Sequence, residues 1–148
     1  MCSQTHEVVF EYKMIHPDAK PPMRKRDTDA GYDLSSVADI EIQWNEFASV
    51  PTGLQISSPP GYYYVTKGRS GMLRDGIIVA EAVIDSTYTG EIFIIIHNRS
   101  DFPYKINVGD RIAQLMPHKI RHVNFKTVDA FSPQYNVRGE AGWGSSGR

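Results

Sequence analysis

Apolar and polar residues alternate along most of this chain, in short runs that are regularly interrupted. Val8, Phe10 and Tyr12, for example, occupy every second position near its start. A period of two is typical of a half-buried β-strand, and the runs are rich in Val, Ile, Tyr and Phe, which suit a pleated surface. Strands are therefore predicted at residues 7–14, 40–44, 47–50, 54–57, 62–66, 77–84, 91–97, 104–108, 111–117 and 122–128.

Turn-forming residues separate these runs and limit their length. They are Pro51-Thr52-Gly53, Pro59-Pro60-Gly61, Asp75-Gly76, Thr89-Gly90 and Gly109-Asp110. Only residues 70–75 are predicted to form a turn or two of helix, and the basic, proline-containing segment 17–29 is predicted to be a surface loop. Many short strands at this spacing indicate an all-β sandwich, barrel or jelly roll.

Length and composition narrow the class of protein. A chain of 148 residues with 41% hydrophobic and 22% charged residues corresponds to one globular domain rather than a disordered chain. Its 16 basic and 17 acidic residues exclude a general coat for polyanions, and the lone Cys2 excludes an intrachain disulfide or a multi-cysteine zinc site. No apolar run approaches the length of a membrane span. We therefore expect a soluble intracellular protein, cytoplasmic or nuclear, and interpret the Asn98-Arg99-Ser100 sequon as a chance match.

Two glycine-containing segments carry residues suited to metal ions and phosphates. Asp33 lies in Asp29-Ala30-Gly31-Tyr32-Asp33-Leu34, where its carboxylate could hold a magnesium-bound water, since hard cations prefer oxygen. In Lys67-Gly68-Arg69-Ser70-Gly71 a strand ends and a helical turn begins, so backbone amides, a hydroxyl and a guanidinium could seat a phosphate. Taken alone, the first segment favours an aspartate that caps a turn, and the second is similar to many ordinary loops.

A third segment and the C-terminal residues add candidates for catalysis and closure. Asp85 ends an apolar run just before Tyr88, where it could accept a proton from an attacking water while the tyrosine packs on a ring. The tail holds Arg138 and the run Gly142-Trp143-Gly144-Ser145-Ser146-Gly147, which could close over an anion. The simpler interpretations are a hairpin turn and a frayed terminus. The five histidines show no metal-ligand spacing, and no serine has an identifiable histidine partner.

Taken together and in this order, the segments resemble the five motifs of the trimeric dUTPases. The matching segments are Ala30-Gly31-Tyr32-Asp33-Leu34, Gly68-Arg69-Ser70-Gly71, Val83-Ile84-Asp85 through Tyr88 and Gly90, Gly109-Asp110-Arg111-Ile112-Ala113-Gln114-Leu115, and Arg138-Gly139 followed by the tail run from Gly142 to Gly147. The resemblance extends from about Ala30 to the C-terminus. Each motif is common by itself, whereas five in one order with similar spacing are specific.

The resemblance implies a jelly-roll homotrimer with three active sites, each built from all three chains. Residues 1–131 would form the β domain, and residues 132–148 a flexible, glycine-rich tail that closes over the nucleotide. The implied reaction is the Mg²⁺-assisted hydrolysis of dUTP to dUMP and pyrophosphate, which limits uracil incorporation into DNA and supplies dUMP for thymidylate synthesis. Besides dUTP and its own copies, neither nucleic acid nor a membrane is expected as a partner.

The resemblance also implies roles for individual residues. Asp85 would orient and deprotonate the water that attacks the α-phosphorus, and Asp33 would hold Mg²⁺ through water. Tyr88 would pack against deoxyribose and exclude a 2′-hydroxyl, while the hairpin at residues 79–85 would read uracil through backbone groups. The implied substrate-binding residues are Arg69, Ser70, Gly71, Val83, Ile84, Tyr88, Gln114, Arg138, Trp143, Gly144, Ser145 and Ser146.

Three features depart from the family pattern. Thr87 replaces the usual second aspartate of the third motif, and Trp143 replaces the usual phenylalanine of the tail. Ala80-Glu81-Ala82 stands where the family commonly has glycines. Backbone recognition of the base therefore requires that these three residues adopt no positive φ.

Two other functions compete with dUTP hydrolysis. A dCTP deaminase would share the fold, but the catalytic glutamate of that family falls where this chain has Ile95, whose side chain cannot activate water. A non-catalytic regulatory binding protein would keep the jelly roll without the reaction. The presence of Asp33, Arg69, Asp85 and Arg138 argues against this second alternative.

Overall fold

Two four-stranded antiparallel sheets and one two-stranded sheet form the fold in the computed structural model, which describes residues 7–135. The elements are β1 (Glu11–Met14), β2 (Tyr32–Ser35), β3 (Ile40–Ile42), β4 (Phe47–Ser57), β5 (Tyr62–Lys67), α1 (Ser70–Arg74), β6 (Ile77–Val79), β7 (Ala82–Ile84), β8 (Glu91–Asn98), β9 (Tyr104–Ile106), β10 (Arg111–Lys119) and a 3₁₀ turn (Pro133–Tyr135). One large sheet has the order β1-β4-β8-β6, the other β2-β10-β5-β7, and β3 pairs with β9. The predicted all-β jelly-roll fold is confirmed.

The large sheets bury one face of each strand in a common hydrophobic core. Along β8, Ile92, Ile94 and Ile96 are buried, whereas Phe93 and Ile95 between them are exposed. This is the period of two that the sequence predicts. Burying a side chain of this size stabilises the fold by about 1.5–3 kcal/mol, so the three isoleucines anchor β8 between β4 and β6.

Strand β4 runs through a segment that the sequence predicts to be a turn. Residues 47–57 form one strand of 11 residues, instead of separate strands at 47–50 and 54–57. The pairing with β8 shifts register between Pro51 and Gln55, and Gly53 within this irregularity has a φ of +65°. The Thr52 hydroxyl donates to the carbonyl of Ile92 at 2.7 Å. The predicted turn is therefore wrong, because a bulge accommodates the proline and glycine inside a continuous strand.

Residues 77–84 form two strands on different sheets, where the apolar pattern predicts one. β6 pairs with β8, and β7 pairs with β5. The N–H of Ala80 donates to the carbonyl of Ile95 at 2.9 Å, after which the chain passes to the second sheet. A continuous apolar run does not reveal this change, because both strands bury residues in the same core.

The structure contains one strand that was not predicted, β2, and lacks one that was predicted, at residues 122–128. β2 is a strand that the alternation does not predict, and it forms by pairing with β10. Residues 122–128 belong to no strand and are exposed, and Phe125 reaches 96% exposure. Strand backbone needs a partner for its N–H and C=O groups, and residues 7–135 of one chain supply none for this segment. The predicted strand is wrong for the single chain.

The predicted helical turn at residues 70–75 is confirmed as α1, which spans Ser70–Arg74. No helix among the described residues is long and apolar enough to cross a membrane.

Asn98 of the sequon is a buried structural residue. Its Nδ2 donates to the carbonyls of Ile42 and Phe102, both at 2.8 Å, and its Oδ1 accepts from the N–H of Ser100 at 2.9 Å. An asparagine held at both side-chain atoms and buried is closed to modification, in agreement with a chance match to the glycosylation pattern.

Candidate active site

Asp33 lies at the centre of a small ion-pair cluster on the edge strand β2. Its Oδ1 accepts from Nε of Arg69 and its Oδ2 from Nη1 of Arg111, each at 3.1 Å. The Asp33 side chain is only 15% exposed, so these charge-assisted hydrogen bonds are partly shielded from water and stronger than bonds on an open surface. Asp33 is thus a strand residue held by two cations rather than the cap of a turn.

Gln114 lies beside Asp33 in a row of directly paired residues that crosses three strands of the second sheet. Strand β10 pairs Gln114 with Asp33 on one side and with Lys67 on the other. Directly paired residues project from the same face of a sheet, and Arg69 follows Lys67 by two residues. The fold therefore brings the predicted metal-holding carboxylate together with two predicted phosphate ligands.

Gly31 provides the space that the Gln114 side chain occupies. A Cβ at this position would lie 3.1 Å from Cβ of Gln114 and 2.9 Å from Sδ of Met116. Both separations are shorter than ordinary van der Waals contact between such atoms. The glycine of the first motif therefore acts through its small size, by letting Gln114 lie against the start of β2.

Arg69, Ser70 and Gly71 form the start of α1. Arg69 is the N-cap residue with an extended backbone, and no side chain caps the helix. Ser70 and Gly71 are exposed, and a Cβ on Gly71 would meet nothing within 4 Å. The hydroxyl and the first-turn N–H groups are thus accessible to an anionic ligand beside the Arg69 backbone.

The segment between β6 and β7 has the backbone conformation that recognition of the base requires, with no positive φ at residues 80–82. Asn45 is the only non-glycine residue with positive φ among residues 7–135, so Ala80, Glu81 and Ala82 all have ordinary backbone conformations. Oε1 of Glu81 accepts from Nζ of Lys67 at 3.0 Å. The predicted base-reading segment is not a hairpin, because β6 pairs with β8 and β7 with β5. The ion pair joins this segment to the end of β5, just before the predicted phosphate-binding segment.

Val83 and Ile84 differ in how much of their side chains is exposed. Val83 is 66% exposed and available to a ligand, whereas Ile84 is half-buried and packs against the core. Val83 therefore offers much more of its side chain to a ligand than Ile84 does.

Asp85 and Tyr88 lie on one hydrogen-bonded turn after β7. The carbonyl of Asp85 accepts from the N–H of Tyr88 at 3.1 Å, and the Tyr88 hydroxyl donates to the carbonyl of Glu91 at 2.9 Å. A Cβ on Gly90 would lie 2.6 Å from Cζ of Tyr88, so this glycine lets the ring fold back over the turn. The Asp85 side chain is exposed, and the ion pairs among residues 7–135 do not include it.

One chain does not bring Asp85 to the Asp33 cluster. Asp85 follows β7 and Asp33 lies on β2, and these strands are the two opposite edges of the second sheet. Three strand spacings separate the edges, which is about 14 Å. The predicted catalytic and phosphate-binding residues therefore form two separate groups within the chain.

Tyr104 is a neutral neighbour of the charged cluster. Burial raises the pKa of Tyr104, and the negative charges of Asp110 and Asp75 act in the same direction, while the Arg69 charge opposes them. The phenol therefore stays protonated at physiological pH and adds no charge near Arg69.

Sequence reasoning includes Arg111 in the fourth motif but gives it no role of its own. The structure shows that it is the second cation on Asp33. The arginine is visible in the sequence, but its partner is not, because the pairing depends on how β10 aligns with β2.

The remaining candidates, Arg138, Trp143, Gly144, Ser145 and Ser146, lie outside the described residues. Among residues 7–135, no three His, Cys, Asp or Glu side chains group together as metal ligands.

An all-β domain with a carboxylate held by two arginines, next to a glutamine and an open helical turn, belongs to the class of jelly-roll domains equipped to bind anions. The family model described as dUTPase matches residues 18–147, and the chain therefore belongs to the dUTPase family. The resemblance carried by the five motifs is confirmed.

Known proteins of this family resemble most of the chain. The deoxyuridine 5'-triphosphate nucleotidohydrolase of Solanum lycopersicum is 38% identical over 139 residues, which are 93% of this chain and 81% of that protein. A mutant dUTPase of Staphylococcus bacteriophage 80alpha, solved with dUpNHpp, superimposes with a TM-score of 0.85 at 28% identity, over 95% of this chain and 99% of that one. A mutant dUTPase from phage phi11 of S. aureus, solved to show the coordination of a structural Mg(II) ion, has a TM-score of 0.76 at 26% identity, over 83% and 98% of the two chains.

Proposed function

We propose that this chain is a dUTP diphosphatase, which hydrolyses dUTP to dUMP and pyrophosphate. The observation that carries the proposal is the row of Asp33, Gln114 and Lys67 with Arg69 beyond it, in a chain of the dUTPase family. The relatives named deoxyuridine 5'-triphosphate nucleotidohydrolase support the reaction, and the related phage enzyme solved with dUpNHpp supports the substrate. Neither deamination of dCTP nor a purely regulatory role is favoured.

Asp85 is the proposed general base. It is an exposed carboxylate, fixed on a hydrogen-bonded turn beside Tyr88. A water oriented by Asp85 attacks the α-phosphorus, the carboxylate takes its proton, and the bond from the α-phosphorus to the oxygen of the leaving pyrophosphate breaks. Positioned base catalysis of this kind contributes about 10²–10⁴ in rate.

Arg69, Ser70, Gly71 and Gln114 are the proposed phosphate ligands. Arg69 supplies a fixed guanidinium, Ser70 and Gly71 supply donors at the open start of α1, and Gln114 lies in the row beside Asp33. Donors that are held in place before the substrate arrives stabilise developing charge without a further cost of reorganisation. The group therefore suits a triphosphate whose negative charge shifts onto the leaving pyrophosphate.

Mg²⁺ fits Asp33 as an outer ligand, held through water. Both carboxylate oxygens already accept from arginines, but a carboxylate has about four acceptor positions and can still receive a bond from a metal-bound water. Mg²⁺ keeps several waters and binds triphosphates through phosphate oxygens and one or two carboxylates. When bound, it would neutralise the triphosphate and hold its oxygens in one geometry.

The segment at residues 79–85 is the proposed reader of uracil, and Tyr88 the proposed reader of deoxyribose. Val83 is exposed on this segment, and the Tyr88 ring is held by its hydroxyl and by the space above Gly90. We propose that a ring fixed in this way excludes a 2′-hydroxyl. The tail, with Arg138, Trp143, Gly144, Ser145 and Ser146, is proposed to close over the bound nucleotide.

A homotrimer is the proposed assembly, with each site shared between chains. The separation of Asp85 from the Asp33 cluster supports a site in which a second chain supplies one of the two groups. Exposed apolar side chains in the segment after β10 also favour contact with another copy; they are Val123, Phe125, Val128 and Phe131. Stable contact with a neighbouring chain would remove these side chains from water.

The test is product identification with a panel of nucleotides. Purified protein and Mg²⁺ should convert dUTP to dUMP and pyrophosphate, and should act on dTTP, dCTP and UTP far more slowly. Release of ammonia from dCTP would instead support the deaminase. The absence of turnover with every nucleotide would support the regulatory binding protein.

A further inference from the structure

Asp33 is shared by two arginines, and each arginine uses a different oxygen. Arg69 reaches Oδ1 through Nε, and Arg111 reaches Oδ2 through Nη1. Nη1 of Arg69 also lies 3.5 Å from the carbonyl of Arg111. The cluster therefore holds two positive charges on one carboxylate, with Arg69 as the less exposed arginine.

A bulge in β10 places Arg111 at this point. Ala113 pairs with Leu34, but Arg111 pairs with Ser35, so β10 contains one residue more than β2 between these pairs. Ile112 and Ala113, the residues at the bulge, are both buried. Bulges re-aim the neighbouring side chain, and here Arg111 points out of the core to Asp33.

The arrangement differs from the usual pairing of one arginine with one carboxylate. A free arginine and aspartate often form two parallel hydrogen bonds, in which the guanidinium uses two donors on both oxygens. At Asp33 the second oxygen already accepts a hydrogen bond from Arg111, and Arg69 makes a single bond to the carboxylate, through Nε. Of its two terminal nitrogens, Nη1 lies 3.5 Å from the carbonyl of Arg111, and Nη2 makes no hydrogen bond within residues 7–135.

We infer that Arg111 is a positioning residue for Arg69. It donates to Oδ2 of Asp33, competes with Arg69 for that oxygen, and so keeps Nη2 of Arg69 free for substrate phosphate. The inference rests on the proposed role of Arg69 in phosphate binding. It adds a function for Arg111 that acts through Asp33 and involves no contact of Arg111 with the nucleotide.

A double-mutant cycle separates this mechanism from a direct contact between Arg111 and phosphate. If Arg111 acts through Asp33, replacing it should weaken nucleotide binding only while residue 33 is a carboxylate that can form a two-bond pair with Arg69. In the Asp33→Asn background the effect of Arg111→Met should largely disappear. A direct contact would instead give the same loss in both backgrounds.

The measurement is calorimetric binding of dUpNHpp to the full-length protein, with and without Mg²⁺. Arg111→Met should weaken binding about tenfold, the scale of one lost hydrogen bond to a charged group. Arg111→Lys, which keeps a cation on Oδ2, should remain within about threefold of the unmodified protein, a difference smaller than 1 kcal/mol. Lys105→Met is the matched control, because it removes one cation from a surface ion pair with Glu41 that includes neither Asp33 nor its two arginines.

Arg69→Met distinguishes failure of the inference from failure of the proposed site. Unchanged binding in Arg69→Met would remove Arg69 from phosphate recognition and with it the basis of the inference. A clear loss in Arg69→Met, combined with unchanged binding in Arg111→Met or with equal losses in both Asp33 backgrounds, would overturn the positioning role alone. Thermal unfolding of each variant shows whether a loss of binding reflects a loss of fold.

Discussion

Asp85 and Arg69 lie toward opposite ends of the same pair of strands. Ile84, the residue before Asp85, pairs with Tyr64, whereas Arg69 follows Lys67, three positions further along β5. Three positions correspond to about 10 Å along a strand. We therefore expect the base that acts at the α-phosphorus and the arginine that binds the phosphates of the same nucleotide to come from different chains.

Replacing Asp85 by asparagine should remove most of the turnover and keep nucleotide binding. Asparagine has nearly the same shape but is a poor base, so we expect a loss of about 10²–10⁴ in kcat, the range for a positioned general base. Steady-state kinetics with dUTP and calorimetry with dUpNHpp measure the two effects. Asp101→Asn, at another exposed carboxylate, is the control, and near-normal turnover in Asp85→Asn would exclude Asp85 from the mechanism.

Replacing Gly31 by alanine should weaken binding of the nucleotide. The added methyl group would come within 3.1 Å of Cβ of Gln114, which displaces that side chain from its row beside Asp33. We expect a higher KM for dUTP with a smaller change in kcat, because the substitution displaces a phosphate ligand and leaves the general base, Asp85, in place. An unchanged KM in a folded variant would show that Gln114 adjusts freely or does not bind phosphate.

The alkaline stability of the fold should depend on Tyr64. Burial raises the pKa of Tyr64, with a further contribution from Tyr88, and its hydroxyl donates to the carbonyl of Ile56 at 3.2 Å. A raised folded-state pKa contributes stability that is complete below the unfolded value of about 10 and is lost as the pH rises further. Tyr64→Phe should therefore flatten the fall in the free energy of unfolding above pH 10.

Urea unfolding between pH 8 and pH 11 measures this effect. At pH 8 the Tyr64→Phe variant should be less stable by about 1 kcal/mol, because the hydrogen bond to Ile56 is lost. Tyr12→Phe, at an exposed tyrosine, is the control. If the free energy of unfolding depends on pH equally in the unmodified protein, Tyr64→Phe and Tyr12→Phe, the buried phenol has no such role.

Truncation after Val137 should leave the fold intact and reduce catalysis strongly if the tail closes over the nucleotide. Closure excludes water and brings Arg138 to the developing phosphate charge, and both effects act mainly in the transition state. Trp143→Ala should weaken binding or turnover by about 1–3 kcal/mol, the scale of base–aromatic stacking, and Trp143→Phe should be tolerated. A fully active truncated chain, together with unchanged Trp143 fluorescence of the full-length protein on addition of dUpNHpp, would make the tail dispensable.

The strands that bury one face could be predicted from the sequence, because alternation records burial directly. Strand β8 is the clearest case, with Ile92, Ile94 and Ile96 on the core. What alternation does not record is the choice of partner. The bulge in β4 and the passage from β6 to β7 depend on pairing with distant strands. Residues 122–128 have a strand pattern, but the described part of one chain has no strand to pair with them.

In the candidate site, too, the residues could be predicted from the sequence but their partners could not. The resemblance of the motifs to those of the dUTPase family indicates Asp33, Arg69 and Gln114, and the fold places them together. The partnership of Arg111 with Asp33 could not be predicted, because it depends on one extra residue in the register of β10. The separation of Asp85 from this cluster follows only from the order of strands in the sheet.

Complementation between two inactive chains tests the shared site most directly. Arg69→Met and Asp85→Asn chains, each nearly inactive alone, are refolded together in equal amounts, and sedimentation verifies a species of three chains of 16.7 kDa. If each site takes Asp85 from one chain and Arg69 from another, about a quarter of the sites in random trimers contain both intact residues. The mixture should then recover up to that fraction of the unmodified activity. A mixture no more active than the average of the two variants alone, with mixed trimers demonstrated, would contradict the shared site.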